Sequence, residues 1–321
     1  MRNARYWGCL ALLASGLAFA DPNDFQLYKL GCPSAGTCGG MGVTPSIAQS
    51  NNAAFRVFAN EFAAGMTSVN LMPPSSLGHD GMAVNFELSI VNFSTGTGSG
   101  QFYMPVTGPS SPVPAGQEFS GPLLMPSVHF RKGLPWSFEV GSRLAWVDKS
   151  RMGVGTIEAK WSLHEGFAFT PDLGIRGFGT RLFNTRDFDL TAAGLDIGIG
   201  KRFPIGGMIT LTPYVGWNVV WVAASTNNID FQPGRSAADA GSSATAQLTN
   251  TGVDDELPAG PNHHARYYGG LRFIGGVVQL GAEISLSSLG SFSYTDVGTG
   301  QTVTKSMPDV LAINATIGLD F

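Results

Sequence analysis

The chain has 321 residues, of which only 13% are charged, with 43 glycines and a net charge of −4. A soluble domain carries about 25% charged residues, so an ordinary water-facing surface is not expected, and the slight acidity offers no footing for nucleic acid. No stretch supplies the roughly 18 consecutive apolar residues of a membrane-spanning helix.

Residues 1–20 have the form of a secretory signal. Arg2 and Arg5 make a basic start, Trp7 to Ala18 is a short apolar run, and Ala18-Phe19-Ala20 is a small-x-small cleavage site. Cleavage leaves Asp21 first and takes the net charge to about −6. Of the three cysteines only Cys32 and Cys38 then remain, in Gly-Cys-Pro-Ser-Ala-Gly-Thr-Cys-Gly-Gly. In an oxidising compartment, two cysteines this close predict a disulfide bracing a small loop. A metal site would need further thiols or histidines beside them, so no metal and no cofactor is expected.

Residues 21–80 form a long N-terminal segment ahead of the first strand. Asn51-Asn52 is placed to cap a helix running to about Met66, and Pro73-Pro74 stops the pattern. Phe55, Phe58, Phe62 and Met66 recur at spacings of three and four, giving one apolar stripe. Two positions for this helix are open. It either plugs a barrel lumen or rests on the periplasmic rim against a partner or the barrel mouth, and a lumen lined by Glu, Arg and Asp is a poor bed for three phenylalanines.

From residue 81 to 321 ten segments alternate apolar and polar residues at the period of a strand. They are Met82–Ser94, Leu123–Arg131, Trp136–Val147, Gly155–Leu163, Phe169–Phe178, Phe188–Lys201, Met208–Val222, His264–Ile274, Val277–Leu286 and Val310–Phe321. In the sixth, the apolar positions change phase near Ala193-Gly194, which predicts a β-bulge. Connections after even-numbered segments are tight. Long ones follow the first, fifth, seventh and ninth, spanning roughly residues 95–122, 179–187, 223–263 and 287–308. Short inner turns with longer outer loops are the rhythm of a transmembrane barrel. A missed pair of strands would keep that rhythm, so twelve strands remain open.

Trp136 and Trp146 bracket one outward face of the third segment. Ten residues at about 3.3 Å, tilted by about 40°, rise roughly 25 Å, the height of the apolar band. Trp136, Trp146, Trp161, Trp217 and Trp221 are therefore expected at the two interfacial girdles.

The final segment puts Leu311, Ile313, Ala315, Ile317, Leu319 and Phe321 on one face and Asn314, Thr316 and Asp320 on the other. With its terminal phenylalanine it resembles the C-terminal strand of Gram-negative outer-membrane β-barrels. That resemblance implies assembly by the barrel-assembly machinery into the outer membrane, among its lipids and lipopolysaccharide. A Gly-rich stretch followed by Asn51-Asn52-Ala53-Ala54-Phe55 and then a barrel resembles, over about thirty residues, the N-terminal region of the outer-membrane long-chain fatty-acid transporters. In that family the segment plugs the barrel. The chain departs from it in lacking an Asn-Pro-Ala motif and in strand number.

Ten-stranded barrels include the omptin proteases, but no Asp-x-His run matches theirs; the nearest candidates are Asp187, Asp189, His263 and His264. His129 has no serine or acid placed by local spacing, and no phosphate loop or zinc signature appears. Asp254-Asp255-Glu256 reads as a solvated loop cluster. No catalytic residues are assigned, and the chain is read as a non-enzyme.

Glu87, Arg131, Glu139, Arg143, Glu158, Lys160, Asp172, Arg176, Asp196, Arg266, Arg272 and Glu283 all read inward. Opposite signs in a narrow barrel should pair, because burial without partners is costly. Glu139, Arg143, Arg176, Arg272 and Glu283 are the residues expected to line any path through the middle. The expected fold is thus an all-β transmembrane antiparallel barrel of about ten strands with a partly helical N-terminal segment. The leading expectation is a narrow channel or selective transporter for a small or apolar solute, gated by that segment. The alternative is a non-transporting anchor or subunit of an envelope complex, binding an envelope protein partner.

Overall fold

The computed structural model describes residues 45–67, 69–93, 122–185, 188–206, 209–226, 263–295 and 300–321. The signal region, Cys32, Cys38, Asp187 and Asp254-Asp255-Glu256 lie outside the described residues. The chain opens with helix α1 (Pro45–Met66). It begins at Pro45, earlier than the Asn51-Asn52 cap; a proline is favourable there because its missing N–H would be unpaired in the first turn anyway.

The wall is a closed antiparallel barrel of ten long strands: β1 (Met82–Asn92), β2 (Leu123–Leu134), β3 (Phe138–Trp146), β4 (Gly153–His164), β5 (Asp172–Phe183), β6 (Phe188–Gly200), β8 (Ile209–Thr226), β9 (His263–Gly275), β10 (Val278–Ser288) and β13 (Val310–Asp320). β7 (Phe203–Ile205) is a short addition to β8 in an inner turn, and β11 (Ser291–Thr295) pairs with β12 (Thr302–Ser306) as a ribbon above the outer rim. Each long strand pairs with its neighbour in sequence; β6 pairs with β8, and β1 closes the cylinder on β13. The inner turns after β2 and β9 are tight, but the one after β4 spans 165–171, longer than the expected 164–166, because β5 begins at Asp172 rather than Phe169. β5 continues to Phe183, so the connection after it spans only 184–187, shorter than expected.

The alternation holds along nearly every strand, with residues such as Phe86, Leu144, Ile197 and Ile317 exposed on the outside and their neighbours buried within. An outward apolar band over an inward polar lining is what strands between lipid and lumen require. The bulge expected in β6 is absent: β6 alternates without a break, so Leu190 and Ala192 face inward with Phe188 and Asp196. A register shift occurs instead in β4, between Ser162 and His164.

That correction exposes the main feature of the interior. The lumen has two storeys. Toward the outer rim it is apolar, lined by residues such as Val91, Leu123, Val154, Leu182, Leu190 and Val220. Toward the periplasm it is polar and charged. The phenylalanine stripe therefore has an apolar bed, and α1 lies in the lumen rather than on the rim.

Candidate functional site: the filled lumen

The helix fills the outer storey. Phe55, Val57, Phe58, Ala59, Phe62, Ala63 and Met66 are all at most 2% exposed, so from Val57 to Met66 the helix is buried on every side rather than along one stripe. Phe58 stacks on Phe62 at 5.8 Å and meets Phe188 edge-on at 5.3 Å, while Phe62 meets Phe93 at 6.2 Å. Close approach to the wall depends on Gly65, where an added Cβ would stand 3.1 Å from Val91 Cγ1. Near the rim Arg56 lies over the Phe292 ring of β11 at 4.6 Å.

The helix ends at the boundary between storeys, and the wall caps it. A helix C-terminus leaves carbonyls unpaired and carries partial negative charge. Thr67 Oγ1 donates back to the Ala63 carbonyl at 2.7 Å. Arg143 donates to the carbonyls of Met66 and Val69 at 3.4 and 3.3 Å, and Arg266 donates to that of Thr67.

From there residues 69–81 descend as a strap through the polar storey to β1, outside any helix or strand and with left-handed backbone at Leu71 and Gly78. Glu283 accepts the main-chain N–H groups of Asn70 and Leu71 at 3.1 and 2.9 Å, and Tyr214 donates its hydroxyl to the same carboxylate. Lys160 donates to the carbonyls of Pro73 and Ser75, and Ser162 donates to that of Pro74 at 2.6 Å. Glu139 accepts from the Leu77 N–H at 3.1 Å while pairing with Lys160 at 3.1 Å. At the inner mouth, Glu165 accepts from the Ser76 N–H and hydroxyl. Burial alone would raise the Glu165 pKa, but hydrogen bonds from Ser137 and Ser76 outweigh it and hold the group below the usual carboxylate value.

Behind the strap the wall charges join in a chain. His129 sits between Glu87 and Glu158, each ring nitrogen 2.9 Å from a carboxylate oxygen, so the arrangement is complete only when both nitrogens carry protons. Glu158 pairs with Arg176, which pairs with Asp196, each at 2.9 Å, and Asp196 accepts from Tyr268. Glycine makes the remaining room. An added Cβ on Gly174 would stand 2.7 Å from the Pro74 carbonyl oxygen, and one on Gly200 would stand 2.9 Å from Pro74 Cδ. Beside Pro73-Pro74 the free space is a cavity of about 10 Å³, room for roughly one water.

Of the residues expected to line a path, Glu139, Arg143 and Glu283 hold the strap, and Arg176 belongs to the charge chain. Arg272 is buried in the polar storey, opposite Thr212 and Gly281. Arg266 reads inward from the sequence and His129 stands there as an isolated histidine, but neither reading gives the contact found, and Ser162 and Gly174 carry no expectation as strap contacts. The available signal was the run of inward glycines facing a segment with two consecutive prolines.

The tryptophans divide by height. Trp136, in the inner turn between β2 and β3, and Trp161, stacked on Phe138 at 5.3 Å, mark the periplasmic end. Trp146 and Trp221 stand near the outer end. Trp217 falls halfway along β8, since alternation decides which way a side chain faces and not its height. Among the described rim residues, Asp189 is exposed on the outside of β6 and His264 is buried inside β9, so these two do not converge.

No family model matches the chain, and no curated protein matches it. Among solved structures it is similar to the β-domain of the Bordetella autotransporter BrkA, at 9% identity and a TM-score of 0.36 over 76% of this chain and 100% of that one. It is also similar to the KdgM porin in complex with disordered oligogalacturonate, at 5% identity and 0.30 over 74% and 99%. A third similarity is to Omp33 of Acinetobacter baumannii, at 8% and 0.26 over 77% and 100%. These are likenesses of general build to outer-membrane β-barrels, at scores that carry no functional argument. The resemblance to the fatty-acid transporters is not shown by these three. The barrel assignment rests on the strand pairing itself.

Proposed function

We propose that the protein is a self-plugged channel of the Gram-negative outer membrane, passing a small or apolar solute when its N-terminal segment withdraws. The observation that carries this reading is that one continuous segment, α1 and its strap, fills both storeys. A ten-stranded wall studded with inward glycines leaves space that its own side chains do not fill; removing the segment would open that space from end to end. The solute would meet an apolar well first and a charged constriction of both signs next.

A second reading, a non-transporting anchor, is favoured by how completely residues 57–66 of α1 are buried. Planar-bilayer recording separates the two. The mature chain and a version lacking residues 21–79 are compared, each first shown folded by heat-modifiable gel migration and β-type circular dichroism. The channel reading expects silence from the full chain and discrete conductance from the shortened one. Silence from both folded proteins would overturn it in favour of the anchor, and steady conductance from the full chain would overturn the plug.

A further inference from the structure

From Met66 to Leu77 the wall meets the strap chiefly through its main chain. Arg143 and Arg266 take carbonyls at the helix end, Glu283 takes two successive N–H groups, and Glu139 takes the N–H of Leu77. Lys160 and Ser162 take the carbonyls around the two prolines. Main-chain groups are common to all peptides, so this array selects a course of the backbone, turned at Leu71 and extended around the prolines, rather than one sequence. Proline holds itself and the residue before it extended and leaves their carbonyls without internal partners. The glycine notch at Gly174, Gly198 and Gly200 receives Pro74. Side-chain selectivity comes from Leu71 and Met72, both buried.

We infer that the polar storey is a binding site for a peptide of the pattern apolar-apolar-Pro-Pro, filled here by the chain's own residues 69–77 and able to take a separate peptide of the same pattern. Its mouth is on the periplasmic side, where Gly78, His79 and Asp80 are exposed. The inference rests on the filled lumen and not on conduction, so it stands or falls separately from the channel reading.

A protease site inserted between His79 and Asp80 lets the full mature chain fold before it is cut. Fluorescence anisotropy in detergent then follows a labelled synthetic peptide of residues 67–79 exchanging into the cut barrel. Saturable binding is expected. A competitor carrying Asn70→Ala, Ser75→Ala and Ser76→Ala should match it within about threefold, because the main-chain contacts survive. One N-methylated at Leu71, with every side chain intact, should be weaker by about tenfold or more. The uncut chain carrying Leu71→Asp and Met72→Asp, with the wall untouched, gives the same comparison without a cut. Absence of peptide binding to both would show the strap to be fixed core and overturn the inference. Equal competition by the N-methylated peptide would overturn recognition of the backbone.

Discussion

Glu283 holds Leu71 by its main-chain N–H at 2.9 Å while the Leu71 backbone sits at φ +50°, a conformation unusual for a branched residue. The same carboxylate takes the N–H of Asn70, so one side chain fixes the turn by which the strap leaves the helix. Such a conformation persists only where its surroundings over-determine it. Glu283→Ala removes that constraint and strands two buried donors, at a cost of about 2–4 kcal/mol. Glu283→Gln, which keeps an acceptor, should lose about half as much. Urea unfolding in detergent, followed by gel mobility, checks both.

Phe58 is the centre of the aromatic cluster in the outer storey. Phe58→Ala should cost about 3–5 kcal/mol through the cavity it leaves. If α1 is the gate, the same variant should also show conductance bursts absent from the native chain.

The glycine notch makes a prediction with its own internal control. Gly174→Ala and Gly200→Ala should each destabilise the strap by about 1–3 kcal/mol through overpacking. Adding Pro74→Ala should relieve Gly200→Ala in part, because the nearest clash there is with the proline ring. It should not relieve Gly174→Ala, where the clash is with the Pro74 carbonyl. A double-mutant cycle on unfolding free energies reads the difference.

Removing His129 leaves Glu87 and Glu158 buried with the cation between them gone. His129→Leu should therefore cost about 3–5 kcal/mol. Glu87→Gln in the same chain should recover part of the loss, and thermal unfolding of the two variants tests this.

The inner anchor of the strap should be sensitive to acid. The Glu165 pKa is depressed in the folded protein, so its contribution is complete above the ordinary value of about 4.3 and is lost as pH falls through the lower folded value. The protection factor of the Ser76 amide, its exchange relative to the intrinsic rate, should fall over that window in the native chain, and Glu165→Gln should abolish that change.

The wall was legible in the sequence because a strand between lipid and a polar lumen contrasts at every step; Glu139, Arg143 and Glu283 could be assigned inward from alternation alone. The reading failed where that contrast vanishes. Leu190 and Ala192 face a dry apolar plug, Leu195 and Ile197 face lipid, and to a hydropathy pattern the two environments look the same. The phantom bulge in β6 and the misjudged bed for Phe55, Phe58 and Phe62 are one error seen twice. The strap contacts were illegible for another reason: the wall side chains bind main-chain groups, and no residue type announces that.

Met82 and Phe321 exchange main-chain hydrogen bonds, so the first strand meets the last residue where the strap turns into the wall. The strand that closes the cylinder is therefore the strand that the strap feeds. The tether of the plug and the seam of the wall are one joint, so a pull on the strap would bear first on the β1–β13 pairing.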